Sequence, residues 1–326
     1  MRGGSRIRTV RELRVSILFL AIVAVLPYFV IVPYWRGVLI VAMYFALVSA
    51  AWNLLAGYTG QFSLAPAAFA MIGGYGSGLL CYHFGISPWI GIPCGTLAAT
   101  VIGLMLGRIV LRLRGPYLAL TTLAFAEIVR LVISNEYEIT RGDLGLSVTP
   151  LFEHQLNYYY LFLFLLVVVQ IGLYYLVRSR AGLYLQAIRD DDLAASGRGV
   201  NVVLWKTVSF AVSSGICGLA GAFYVHFIRL ASPELGLILQ TGLVIAMVVI
   251  GGMGTLIGPL IGAFLVQLSS EALREVGLSH MLFFALTVIL FGRFFRSGIW
   301  GGIDFLRDKW ETRSESKEIM EAGGSE

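Results

Sequence analysis

Long apolar runs alternate with short polar breaks along nearly the whole chain. Runs of membrane length fall at 15–33, 37–56, 62–82, 88–107, 116–134, 157–177, 207–228, 236–253, 256–271 and 280–297. Each approaches the roughly 20 residues an α-helix needs to cross a hydrocarbon core. Two places are irregular. The run at 62–82 carries Ser63 and Pro66, which is compatible with a re-entrant segment, and a glycine-rich pair of runs meets between Gly251 and Pro259. The pattern predicts an all-α fold, a polytopic transmembrane bundle of ten spans. A basic N-terminus at 1–14, a transmembrane domain at 15–303 and a charged tail at 304–326 complete the plan.

Composition narrows the class. The 326 residues are 58% hydrophobic and only 13% charged. An ordinary soluble domain is about 45–50% apolar and about 25% charged. So few polar side chains cannot cover a soluble globule, which excludes a soluble enzyme, a nucleic-acid binder and a disordered chain. The first run ends in Phe29 to Trp35 rather than at a small-residue cleavage site, so it reads as a retained helix. Cys81, Cys94 and Cys217 lie in apolar context without metal or disulfide spacing and read as small hydrophobes.

The net charge of +5 becomes informative once the charges are placed. With the N-terminus in the cytoplasm, cytoplasmic segments hold Arg2 to Arg14, Arg108 to Arg114, Arg178 to Lys206, and Arg293 to Lys317. Those segments contain 19 of the 24 basic residues. External segments hold only Arg36, Arg141, Arg229 and Arg274, and Arg130 sits inside a run. This asymmetry matches ten spans with both termini cytoplasmic in a bacterial-type inner membrane.

One cytoplasmic loop, 178–206, is long and organised. Leu183, Leu185 and Ile188 lead into Arg189, Asp190, Asp191 and Asp192, and Leu193, Ala194 and Ala195 precede Gly197 and Gly199. The spacing predicts two short helices joined at the aspartates, with Asp as N-cap of the second and glycine at its end. Small side chains on the second helix let it enter a groove on another protein. A solvated linker between two spans is the plainer alternative.

The stretch Ala187-Ile-Arg-Asp-Asp-Asp-Leu-Ala-Ala-Ser-Gly-Arg-Gly-Val resembles the cytoplasmic coupling loop of ABC-importer permeases, specifically the LivM-type permeases of branched-chain amino acid uptake systems. Three further segments resemble the same family in order: Trp52-Asn-Leu-Leu-Ala-Gly-Tyr-Thr-Gly-Gln-Phe-Ser-Leu, Leu113-Arg-Gly-Pro-Tyr-Leu-Ala-Leu-Thr-Thr-Leu-Ala-Phe-Ala-Glu-Ile, and Val248-Val-Ile-Gly-Gly-Met-Gly-Thr-Leu-Ile-Gly-Pro. The resemblance implies that the loop docks on an ATP-binding subunit. The implied coupling residues are Arg180, Gly182, Ala187, Arg189, Asp190, Asp191, Asp192, Ala194, Ala195 and Gly199. Asp192 stands where the family commonly has Glu, and Ser196 to Arg198 depart from it. The implied partners are a second related permease, two ATPase subunits and an extracytoplasmic solute-binding protein.

Polar groups inside the runs are the candidates for a solute pathway. Glu127 and Arg130 share the fifth run at i,i+3 spacing. An ionisable group at mid-membrane costs about 2.5–3.5 kcal/mol on insertion scales, so the pair either lines a pathway or fixes helix packing. Thr121 and Thr122 precede it, and Asn53, Gln61 and Ser63 surround Gly57 and Gly60. Such groups beside a glycine-broken backbone suit a zwitterionic solute, or bond helix to helix. His226 reads as a packing residue, and the glycines at 73–78 and 215–221 as close-approach faces.

No P-loop, zinc-protease or serine-hydrolase motif is present, and Gly251 to Pro259 lacks the Lys-Ser/Thr ending of a phosphate loop. The expectation is a non-enzymatic permease subunit without its own cofactor or metal, with ATP bound by partner subunits. Branched-chain amino acids, or a related small polar solute such as urea or amides, are the expected cargo. An ion-coupled secondary transporter using Glu127 is the alternative.

Overall fold

Proline sets the starts of several helices, because its fixed φ suits the first turn and its missing N–H costs nothing there. A computed structural model describes residues 2–29, 32–110, 113, 115–274 and 298–300. In it α1 spans Arg2–Phe29, α2 Pro33–Asn53, α3 Pro66–Phe84, α4 Pro88–Val110 and α5 Pro116–Asn135. Then come α6 Gln155–Arg178, α7 Arg180–Asp190, α8 Asp192–Gly197, α9 Val202–Ile228, α10 Ile238–Gly251 and α11 Gly258–Arg274. The α2 helix runs on into a π-helical turn, Leu54–Tyr58. Among the described residues the sole sheet is a two-stranded antiparallel ribbon, β1 (Leu146–Ser147) with β2 (Leu230–Ala231).

Six of these segments are long and apolar enough to cross a membrane: Val10–Phe29, Pro33–Tyr58, Pro88–Val110, Pro116–Asn135, Gln155–Arg178 and Val202–Ile228. Ile238–Gly251 and Gly258–Leu273 are apolar but shorter. The expected span at 280–297 and the tail at 304–326 lie outside the described residues, as do Arg112 and Arg114. The irregular run at 62–82 resolves into a short non-helical stretch followed by α3, a continuous helix of 19 residues. It is richer in glycine and serine than its neighbours because it is shielded by them: Pro66 to Tyr75 are all buried. A helix that meets protein rather than lipid needs no apolar outer face.

The centre is built on α2, α3 and α9. Residues Val38 to Asn53 of α2 are all buried except the half-buried Val41, the mark of a helix enclosed on nearly all sides. Beside it, α3, α4 and α9 approach one another backbone to backbone. A Cβ at Gly73 would stand 2.1 Å from the Gly218 carbonyl oxygen, and one at Gly95 2.3 Å from that of Gly73. The glycine faces expected for close approach are therefore packed on one another.

The connections collect at two opposite ends. At one end lie the π turn, the start of α5, the α7–α8 loop and the turn between α10 and α11. At the other, His83 meets the Ile139 carbonyl at 2.9 Å, β1 pairs with β2, and Tyr34 donates to Glu271. His226 is fully buried there, with Nε2 2.7 Å from Ser77 Oγ and Nδ1 2.6 Å from the Thr149 carbonyl. Tyr158 donates to the His226 carbonyl at 2.8 Å. His226 thus ties the extended segment after β1 to α3 and α9.

Candidate functional site

The loop between α6 and α9 folds as two helices joined at the aspartates. Asp191 is the extended residue between them, and its Oδ1 accepts from Leu193 N at 2.7 Å and Ala194 N at 3.1 Å. That bond satisfies donors a short helix would otherwise leave orphaned. Gly199 follows α8 at φ +82°, a conformation glycine adopts without a Cβ clash. Lys206 of α9 forms an ion pair with Asp192 and anchors the start of α8.

The two helices bury one face and present another. Leu185, Ile188 and Gly182 of α7 are buried. A Cβ at Gly182 would sit 2.0 Å from the Val177 carbonyl, so this glycine lets α7 fold back on α6. Ala195 is also buried, at 4% exposure, on the side of α8 that faces its own chain. Its role is to seat α8 against its own chain. The outward apolar positions are Leu183, 60% exposed, and Leu193, 69% exposed. Arg180, Asp190, Asp191, Ala194 and Gly199 are exposed around them, while Ala187 and Asp192 are half-buried.

Arg189 is exposed as a residue, yet its guanidinium reaches from this surface to the bundle. Its guanidinium donates to the carbonyl of Gly57 in the π turn, 132 residues earlier. Sequence reasoning placed Arg189 in the loop but missed this bond. No local pattern signals a contact over that separation. Glu12 was missed likewise: it is buried on α1 and its carboxylate accepts from Leu256 N at 3.0 Å. Between the loop and the bundle lies a cavity of about 360 Å³, lined by Thr59 to Gln61, Val110, Leu113, Gly115, Leu118, Ile188 to Leu193 and Lys206.

The candidate pathway residues divide into two groups. Asn53, Gln61, Ser63 and Thr122 are buried and engaged inside the chain. Asn53 bonds Thr255 O and Gly254 N, each at 2.8 Å. Gln61 accepts from Ser209 Oγ at 3.3 Å, and Gln61 also faces the cavity. Ser63 takes the Trp52 indole N–H on its carbonyl at 2.6 Å. Thr122 accepts from Leu64 N at 2.9 Å and so pins the non-helical 60–65 stretch to α5.

Thr121, Glu127 and Arg130 are the second group, partly exposed on α5. Thr121 bonds back to the Tyr117 carbonyl at 2.8 Å. Arg130 Nε lies 3.1 and 3.0 Å from the two Glu127 oxygens, with a further bond from Nη2. The side chains are 20% (Arg130) and 44% (Glu127) exposed. Only Leu118, Thr122, Ala126 and Ser134 of α5 are buried, one narrow stripe along the helix. Tyr117, Leu120, Ile128, Leu131 and Val132 face outward. Among the described residues no cluster of His, Cys, Asp or Glu is arranged to hold a metal ion.

Residues 35–291 match the family model described as branched-chain amino acid transport system / permease component. The chain is 31% identical over 268 residues to the high-affinity branched-chain amino acid transport system permease protein LivM of Escherichia coli strain K12, covering 73% of this chain and 63% of that protein. It is 26% identical over 234 residues to the fructose import permease protein FrcC of Rhizobium meliloti, covering 67% of this chain and 65% of that one. A probable branched-chain amino acid transport permease protein, LivH of Methanocaldococcus jannaschii, is 24% identical over 223 residues, 64% of this chain and 70% of the relative. The chain spans about 63% of the length of the LivM relatives from Escherichia coli and Salmonella typhimurium. No solved structure matches it.

Proposed function

The chain belongs to the branched-chain amino acid transport system permease family, and from that premise we propose that it is a transmembrane subunit of an ATP-driven importer. Its cargo is leucine, isoleucine or valine, or a related small polar solute, moved inward across a bacterial-type inner membrane. ATP is bound and hydrolysed by separate subunits. A second permease completes the pathway, and a binding protein delivers the solute outside. Ten spans with both termini cytoplasmic fit the charge distribution.

One observation carries the reading. The α7–α8 loop is a built structure that presents Leu183 and Leu193 outward at the end of the bundle where basic residues gather. Two exposed leucines framed by charges suit a protein groove, with the charges setting register. The α5 surface supports the second permease. A charged pair on a helix at hydrocarbon depth needs polar surroundings, and in this chain Glu127 and Arg130 are only partly covered. A neighbouring permease packed on α5 would cover them and place them beside the pathway. Pairing with Arg130 also leaves Glu127 poorly suited to act as a lone proton site, which weighs against an ion-coupled transporter.

The test is uptake into proteoliposomes holding both permeases and both ATPases, with the binding protein outside. Uptake of radiolabelled leucine should require internal ATP and survive an ionophore. Uptake that persists without ATP and collapses with the ionophore would sink the importer reading.

A further inference from the structure

Three glycines from two separate helix breaks converge on one side chain. Gly57 lies near the end of the π turn, where carbonyls run out of helical donors. Its oxygen accepts from the Arg189 guanidinium. Gly254, in the turn between α10 and α11, has φ +76°, and a Cβ there would stand 2.8 Å from Arg189 Nη1 and 3.3 Å from the Gly57 oxygen. Gly60, at φ +73°, lies under the root of the same residue: its Cβ position is 3.4 Å from Arg189 Cα and Cγ. The two breaks are already joined by Asn53, whose side chain bonds Gly254 N and Thr255 O. A side chain at Gly254 would meet the guanidinium and one at Gly60 would crowd its stem, so both glycines keep room for Arg189.

We propose that Arg189 is a positioning residue that links the α7–α8 loop to the bundle, a strut whose guanidinium is seated between the break after α2 and the glycine turn after α10. This rests on the importer reading. The loop is attached to α6 and α9 by covalent ends, and Lys206–Asp192 holds α8 to α9. Arg189 adds a direct path from the loop to α2 and α10, elements that are distant in sequence. Both breaks are places where a helix has given up its regular ladder, so a small displacement is met by few backbone bonds. A push on the loop is thereby delivered to the two points of the bundle best able to yield. The strut moves both breaks together because Asn53 ties them.

The experiment uses the complete transporter in proteoliposomes and measures solute taken up per ATP hydrolysed. Arg189→Met keeps the stem and removes the donor. It should still bind the ATPases and hydrolyse ATP, with uptake per ATP lowered about tenfold or more, the shift expected from losing one charge-assisted hydrogen bond. Arg189→Lys retains a cation that can reach one carbonyl and should fall between Met and wild type. Should Arg189→Met fail to reach the membrane, Arg189→Lys carries the test: a reduced ratio supports the strut and an unchanged ratio overturns it. A wild-type ratio in Arg189→Met overturns it too. So does loss of ATPase binding in that variant, which would make Arg189 a docking residue. Wild-type uptake that ignores ATP would instead defeat the importer reading, and the strut with it.

Discussion

Asn53 and Gly254 are 201 positions apart, yet Asn53 Oδ1 accepts from Gly254 N at 2.8 Å while its Nδ2 donates to Thr255 O at 2.8 Å. Both ends of one buried amide are spent on the backbone of a single turn. Removing it leaves a half-buried N–H and a buried C=O without their partner, up to about 1–3 kcal/mol for each group. Asn53→Ala should therefore lower the unfolding midpoint of the detergent-solubilised protein. Asn53→Asp should do so as well, since a carboxylate accepts from Gly254 but cannot donate to Thr255. An unchanged midpoint in both would show that the turn finds other partners.

The α3–α9 crossing leaves no room for a methyl group. At Gly73 a Cβ would stand 2.1 Å from the Gly218 oxygen. Overpacking of this kind costs about 1–3 kcal/mol when the neighbours must shift. Gly73→Ala should reduce the amount of protein reaching the membrane and its thermal stability. Gly172→Ala, at a position with open space around it, is the control and should behave as wild type.

The two faces of the α7–α8 loop predict opposite outcomes for neighbouring residues. Leu193→Glu places a charge on an outward position and should weaken ATPase co-purification about tenfold while leaving thermal stability intact. Ala195→Glu forces a carboxylate into a buried site and should lower stability of the permease alone. If Leu193→Glu retains its ATPases at wild-type levels, the outward leucines are not the docking surface.

Glu127 and Arg130 neutralise each other on α5. Glu127→Gln and Arg130→Gln each leave one charge without its partner, and each should lower stability and uptake. The double variant removes both charges and should recover stability. Recovery of uptake as well would make the pair a packing device; stability without uptake would place it on the solute's path. Three variants that all behave as wild type would remove α5 from the pathway.

Helix positions were legible in the sequence because burial in lipid or protein imposes a local rule: a run of apolar residues closed by proline, glycine or charge. The Asp191 cap of α8 was written in the same local chemistry. The burial of Ala195 was not legible in the sequence for a specific reason. Small residues suit both an intermolecular groove and an intramolecular seat, and only the packing of α8 on its own chain separates the two. Gly182 shows the same ambiguity resolved by the Val177 carbonyl.

The sequence by itself determined a helical chain with membrane-length apolar runs, the uneven distribution of its basic residues among the loops and the organised loop at 178–206. It did so because hydropathy, charge asymmetry and capping are properties of neighbours along the chain. Tertiary structure alone decided that Arg189 leaves that loop for Gly57, that Asn53 locks a turn beyond Gly251, and that Glu12 closes on Leu256. Each of these bonds satisfies a backbone group that a broken helix has exposed. Its partner comes from wherever the bundle brings a donor or acceptor within about 3 Å, which no local spacing encodes.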